Sequence, residues 1–157
     1  MLRPRDAINF VNLCLAECNG EIELNEDIVL EAEEKFYSVR KTALAKEWGS
    51  IFFHIDEYLD SLEFLTTINF KIKELTVQEK DSVLNYLMDR PNIQPDNEEH
   101  NNRMLNFDEL VKVWFTVGVI GIQKSETLVI YSSFEKPELD ITDLTKKFVI
   151  HPLFFRH

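Results

Sequence analysis

Residues 106–134 read NFDELVKVWFTVGVIGIQKSETLVIYSSF, and this stretch decides the fold. Asn106 stands three residues before Glu109, the spacing at which each side chain satisfies the other's backbone amide, and Leu105 can meet Leu110 to fix how the chain enters the helix. A short helix is therefore predicted, ending near Phe115. Val117 to Gln123 and Thr127 to Phe134 follow, rich in β-branched and aromatic residues and separated by the polar turn Lys124-Ser125-Glu126. They predict a hairpin. A capped helix feeding a hairpin places the chain in a mixed class.

Upstream, Thr76-Val77-Gln78-Glu79 is a second capping box, opening a helix whose apolar positions are Val83, Leu84, Leu87 and Met88 and whose stop is Arg90-Pro91. From Pro91 to Arg103 there is almost no apolar residue, which predicts a surface loop. Before the box, Ile68, Phe70 and Ile72 alternate with Asn69, Lys71 and Lys73 as a short strand would. Ile55 to Leu65 puts Tyr58, Leu59, Leu62 and Leu65 on one helical side. From Ile55 the elements thus run helix, strand, helix, helix, strand, strand, the order of parts in a winged helix-turn-helix domain. Phe148 to His151 adds a strand before Pro152 turns the chain toward Leu153, Phe154 and Phe155, which should pack.

The first fifty residues are helical by pattern. Asp6 to Cys18 carries Ile8, Val11, Leu15 and Cys18 at helical spacing, with Ala7, Phe10 and Cys14 widening a stripe that should be buried, and Asn19-Gly20 supplies a left-handed stop. A second helix begins after Asn25, a capping residue followed by Glu26 and Asp27 at the positive end of the dipole, and runs to Trp48. On it Ile28, Ala32, Phe36, Val39, Ala43 and Ala45 to Trp48 are expected inside, and Glu31, Glu33, Glu34 and Lys41 in solvent. The fold class is α+β, mainly α: an N-terminal helical bundle over residues 3–50, then a winged-helix-like lobe over residues 51–157 with a small antiparallel β-sheet, the two sharing hydrophobic core.

A chain of 157 residues with 45% hydrophobic content can bury a sizeable core. Its net charge is −11, with 6 basic against 14 acidic residues up to Thr66 and 11 against 14 afterwards. A duplex binder draws affinity from neutralised phosphates, so this balance favours protein partners over nucleic acid. Two cysteines four apart, Cys14 and Cys18, fit core packing better than a metal or redox pair. With no signal peptide and no long apolar run, a soluble cytoplasmic protein that does not enter the membrane is the expectation.

Arg3-Pro4-Arg5-Asp6-Ala7-Ile8-Asn9-Phe10-Val11-Asn12, then Ala32-Glu33, Tyr37-Ser38-Val39-Arg40, Leu44, Glu47-Trp48 and Phe148 to Phe154, are similar in wording and order to the C-terminal helical and winged-helix region of bacterial P-loop ATPases of the KAP/STAND-like group. The chain departs from those enzymes in having no G-x-x-x-x-G-K-[ST] loop, which makes ATP hydrolysis by this polypeptide improbable. The resemblance implies a lid whose helix-start arginines, Arg3 and Arg5, approach the nucleotide phosphates. As planar guanidinium forks beside Pro4, these two could hold phosphate or carboxylate; the plainer reading is a frayed, solvated terminus.

Other candidates are thinner. In a DNA-binding winged helix the second helix of the pair reads base edges, but residues 107–115 offer Lys112 against Asp108 and Glu109. Lys124 is the wing's one cation, and Lys71 with Lys73 is the best local basic pair, although a solvated strand face explains both. His54, His100, His151 and His157 lack metal-ligand spacing, and no hydroxyl lies in a nucleophile motif, so no catalytic residue, metal site or cofactor is expected and the chain is read as not an enzyme. The function expected is a non-catalytic C-terminal lid and protein-interaction module of a P-loop ATPase, or a free-standing relative. Its partner would be the ATPase core or another subunit, a homodimer being a further arrangement. The rival is an acidic winged-helix transcriptional regulator binding DNA as a dimer; a small enzyme of another type is a third reading.

Overall fold

The computed structural model describes residues 4–20, 23–89 and 105–156. Among the described residues, five α-helices and a four-stranded antiparallel sheet give a mainly helical α+β protein. In chain order these are α1 (Pro4–Glu17), α2 (Glu26–Trp48), α3 (Ile55–Asp60), β1 (Asn69–Phe70), α4 (Val77–Met88), α5 (Phe107–Thr116), β2 (Ile120–Gln123), β3 (Val129–Ile130) and β4 (Phe148–Ile150). The stop expected at Arg90-Pro91 and the loop expected from Pro91 to Arg103 lie outside the described residues.

The helix starts follow their capping chemistry. The Asn25 side chain accepts from the Ile28 amide at 2.9 Å, and both capping boxes, Thr76 with Glu79 and Asn106 with Glu109, close in both directions. The stop after α1 uses positive φ at Asn19 and Gly20 (45° and 93°), as a left-handed C-terminal turn requires. The third helix arrives in two pieces, α3 and a 3-10 turn over Ser61–Phe64, yet Tyr58, Leu59, Leu62 and Leu65 all point inward.

Strand order is β1-β4-β2-β3. The hairpin of β2 and β3 forms where residues 117–134 predict it, but pairing is confined to Ile122 with Ile130 and Gln123 with Val129. β4 lies between β1 and β2, matching Phe70 to Phe148 on one side and Ile122 to Phe148 on the other. The alternation over residues 68–73 holds in burial, but β1 is only two residues long because Ile72–Glu74 coils into a 3-10 turn that carries Ile72 into the core.

One continuous core joins Phe36 and Leu44 of α2 to α3, α4, α5 and the sheet. Helix α5 is its centre: Phe107, Leu110, Val111, Val113, Trp114 and Phe115 are all buried. The Trp114 indole N–H donates to the Tyr58 carbonyl at 2.7 Å, tying α5 to α3.

Three burial expectations are corrected. Ile8, Val11 and Leu15 are 61%, 54% and 61% exposed. The inward face of α1 is instead Asp6, Phe10, Leu13 and Cys14, because the apolar arc of this helix is wider than the α2 surface covering it and the Asp6–Arg40 pair fixes which part turns in. On α2, Val39 faces solvent while Leu44 is buried, and Ala43, Ala45 and Trp48 are only half-buried. Met88, in the last turn of α4, is exposed.

Candidate interaction site

Helices α1 and α2 pack through Phe10 against Phe36, ring centroids 5.5 Å apart, and through an Arg40 Nη1 to Asp6 Oδ1 bond of 3.3 Å. Lys35 pairs with Glu17 near the other end. The last described residues return to this hairpin: Phe154 meets Tyr37 edge-on at 5.7 Å, and Arg156 lies 4.7 Å over the Tyr37 ring while pairing with Glu34. Burial, with Asp60, Glu63 and Asp56 nearby, pushes the Tyr37 hydroxyl up to about 12. It stays a neutral phenol at any physiological pH.

Where these parts meet there are three concavities, Arg40 lining the first two and His151 the last two. One is a cleft of about 570 Å³ walled by Arg40, Glu47, Trp48, Gly118, Tyr131 and Ser133. A neck of about 30 Å³, lined by Asp6, Arg40 and His151 among others, adjoins it. On the far side of His151 a groove of about 410 Å³ is walled by Ala7, Phe10, Val11, Phe36, Pro152 and Leu153. Glu33 is the charged group on its wall.

His151 controls the partition. Its backbone N–H donates to the Val119 carbonyl at 2.8 Å and its Nδ1 accepts from the Leu153 amide at 3.2 Å, which fixes the ring between Tyr131 and Phe154. Burial lowers its pKa from 6.5 to about 4, and the Arg40 charge adds to the effect. At neutral pH the ring is uncharged, so the groove has apolar walls and no cation among its lining residues.

The larger cleft carries more polar groups than the groove, and its two serines are engaged. The Ser132 hydroxyl donates to the Pro137 carbonyl at 3.0 Å, the Ser133 hydroxyl accepts from the Lys136 amide, and burial raises the Tyr131 phenol. Among the described residues no group of three or more His, Cys, Asp and Glu side chains is placed to hold a metal ion. No helix among them is long and apolar enough to cross a membrane.

The residues singled out from sequence are scattered. Arg3 lies outside the described residues. Arg5 is exposed in the first turn of α1, beside the buried Asp6. Lys71 follows β1 and pairs with Glu74 at 3.1 Å, Lys73 is exposed in the next turn, Lys112 is half-buried on α5, and Lys124 is exposed in the β2–β3 turn. The sheet register does bring some together: beyond the Phe70, Phe148 and Ile122 row lie Lys71, Lys147 and Gln123, with Lys124 one residue further. Of the histidines, His54 precedes α3 with its ring against Tyr58; His100 and His157 lie outside the described residues. Cys14 is buried and Cys18 half-buried.

Arg40, His151 and most of the groove residues lie in the stretches that carry the resemblance to the ATPase region, but nothing in the sequence gathered them into one site. Asp6 reads from sequence as the start of the first helix, and nothing in its spacing points to a partner 34 residues away.

Residues 1–45, covering α1 and most of α2, match the model of the FunZ-associated C-terminal helical domain. No curated protein and no solved structure matches the chain. The matched segment contributes the Asp6–Arg40 pair and one whole side of the apolar groove.

Proposed function

We propose that this chain is a non-catalytic C-terminal lid and protein-interaction module of a P-loop ATPase, or a free-standing relative of that region, with residues 51–157 arranged as a winged-helix-like lobe. The observation that supports it best is the apolar groove between α1, α2 and the residues after β4, in the segment that matches a C-terminal helical domain. A wall of Ala7, Phe10, Val11, Phe36, Pro152 and Leu153 suits an apolar side chain or helix edge from a protein, and it offers almost nothing to orient a small polar substrate. Arg5, exposed at the start of α1, and Arg3 before it would face the phosphate end of a nucleotide held by the partner. Movement of the lobe with α1 would then expose or cover the groove.

The test has two arms. The purified chain should show no ATP turnover above buffer; robust turnover abolished by one substitution would overturn the non-catalytic reading. Mixed with purified FunZ, the chain should co-elute as a complex that Ala7→Glu weakens at least tenfold, because Ala7 lines the groove and a carboxylate there has no partner. A complex indifferent to Ala7→Glu removes the groove from the interface.

A DNA-binding reading draws on one observation, the gathering of Lys71, Lys147 and Lys124 at one end of the sheet. Against it, six of the ten residues of α5 are buried and its exposed residue is the acidic Asp108. Tight binding to duplex DNA that falls steeply with salt would favour the rival, and no shift at low salt would remove it.

A further inference from the structure

The outer face of α1 has a pattern that the packing of α1 on α2 does not use, although Val11 also borders the apolar groove. Ile8, Val11, Leu15 and Cys18 are spaced three, four and three residues apart, the a and d positions of a two-stranded coiled-coil seam. The first three are more than half exposed, and Cys18, whose amide continues the helical bonding to the Cys14 carbonyl, is half-buried. The inward face of the same helix is already occupied by α2.

We infer that this seam pairs with the same seam of a second copy of the chain, antiparallel, about a two-fold axis that crosses the seam at the level of position 13. In that arrangement Ile8 opposes Cys18 of the other copy and Val11 opposes Leu15, since both pairs are centred on position 13. An isologous contact of this kind needs a surface complementary to itself, and the spacing supplies it.

Charge selects the same occupant. The chain carries −11, so most of its surface repels a second copy. Helix α1 is the exception: of its charged groups Asp6 is buried against Arg40, Glu17 is neutralised by Lys35, and Arg5 lies at the end. Between Ala7 and Ala16 no charged residue occurs. Two copies can approach along this helix without bringing carboxylates of α1 together, Glu33 of α2 on the groove wall with Val11 being the acidic group beside the seam. The seam is two heptads long, well short of a standard protein interface, so the dimer should be weak, with a Kd on the order of 10–100 µM.

Sedimentation equilibrium of the purified chain from about 1 to 500 µM should show mass rising from 18.5 kDa toward twice that value. Ile8→Glu and Leu15→Glu should each weaken association at least tenfold with an unchanged circular dichroism spectrum. Val39→Glu, an exposed apolar position on α2, should leave it unchanged. Val11 lies on both surfaces, but neither Ile8 nor Leu15 lines the groove assigned to the partner, so failure here and failure of Ala7→Glu are separate results. Orientation is read by cross-linking: Ile8→Cys should form a disulfide-linked dimer with Cys18 of the other copy under mild oxidation, faster than wild type links through Cys18 alone. A monomer throughout the concentration range, association untouched by Ile8→Glu, or preferential Cys18–Cys18 linkage would overturn the proposal.

Discussion

Acidifying the protein from pH 7.5 to 5 should destabilise it through His151, whose substitution by Gln isolates the effect. The ring is held neutral by burial between Tyr131 and Phe154, with Arg40 nearby, and its pKa falls from 6.5 to about 4. The unfolded chain therefore binds a proton near pH 6.5 that the folded chain refuses until about pH 4. Stability contributed by the neutral ring is fully present above 6.5 and is lost progressively as pH falls toward 4. At 1.36 kcal/mol per pH unit, a fully buried ring would cost about 2 kcal/mol at pH 5. His151 is only partly buried, and solvent screening reduces this to about 1 kcal/mol. Urea unfolding followed by tryptophan fluorescence at pH 7.5, 6 and 5 measures it. His151→Gln keeps an acceptor for the Leu153 amide, so its loss over the same interval should be smaller than that of wild type by about 1 kcal/mol. Asp143, Asp140 and Glu79 are held below their ordinary values and titrate beneath this window. Equal losses in the two proteins, or an NMR titration of the His151 ring centred above pH 6, would refute the reasoning.

Three further outcomes follow from the packing. Asp143 is 1% exposed, bonded by Lys136 at 2.7 Å, Lys146 at 2.8 Å and the Asp140 amide at 2.9 Å; burial alone would raise its pKa, but these donors hold it well below the usual carboxylate range. Its contribution is present above about pH 4 and lost as pH drops further, and Asp143→Ala should lower stability at pH 7 by about 2 kcal/mol in urea melts, with a flat response arguing that the lysines simply resolvate. Trp114→Phe deletes the bond to the Tyr58 carbonyl and leaves part of the indole volume empty, which should cost about 2–3 kcal/mol, and a loss under half a kcal/mol would show that the core closes around the smaller ring. A Cβ at Gly121 would sit 2.5 Å from Val129 Cγ1 and 2.9 Å from the Ile130 carbonyl, so Gly121→Ala should push β3 off β2, read as faster amide exchange at Ile122 with a stability loss of about 1–3 kcal/mol.

The elements were legible wherever local chemistry alone sets them. Asn25, Thr76 with Glu79, Asn106 with Glu109, and Asn19-Gly20 act on backbone groups within four residues, and each marks the helix boundary that the structure shows. Burial was legible where an element has a single apolar side, as in Tyr58, Leu59, Leu62 and Leu65. On α1 it was not, because periodicity reports that a helix has an apolar arc and not which half of a wide arc another helix will cover. The order of strands depends on contacts between residues 70, 122 and 148, distant in sequence, and no local pattern encodes it. The concavities are harder still: they arise where α1, α2 and the residues after β4 meet, and only three-dimensional closure brings Asp6, Arg40 and His151 to one place.

The position of β4 has a consequence for synthesis. Residues 148–150 fill the gap between two strands made earlier, so on the ribosome β1 and β2 emerge with their facing edges unpaired, and the sheet cannot zip until this late segment clears the exit tunnel. During that interval the nascent chain displays two unsatisfied strand edges flanked by Phe70 and Ile122, the kind of surface that chaperones hold.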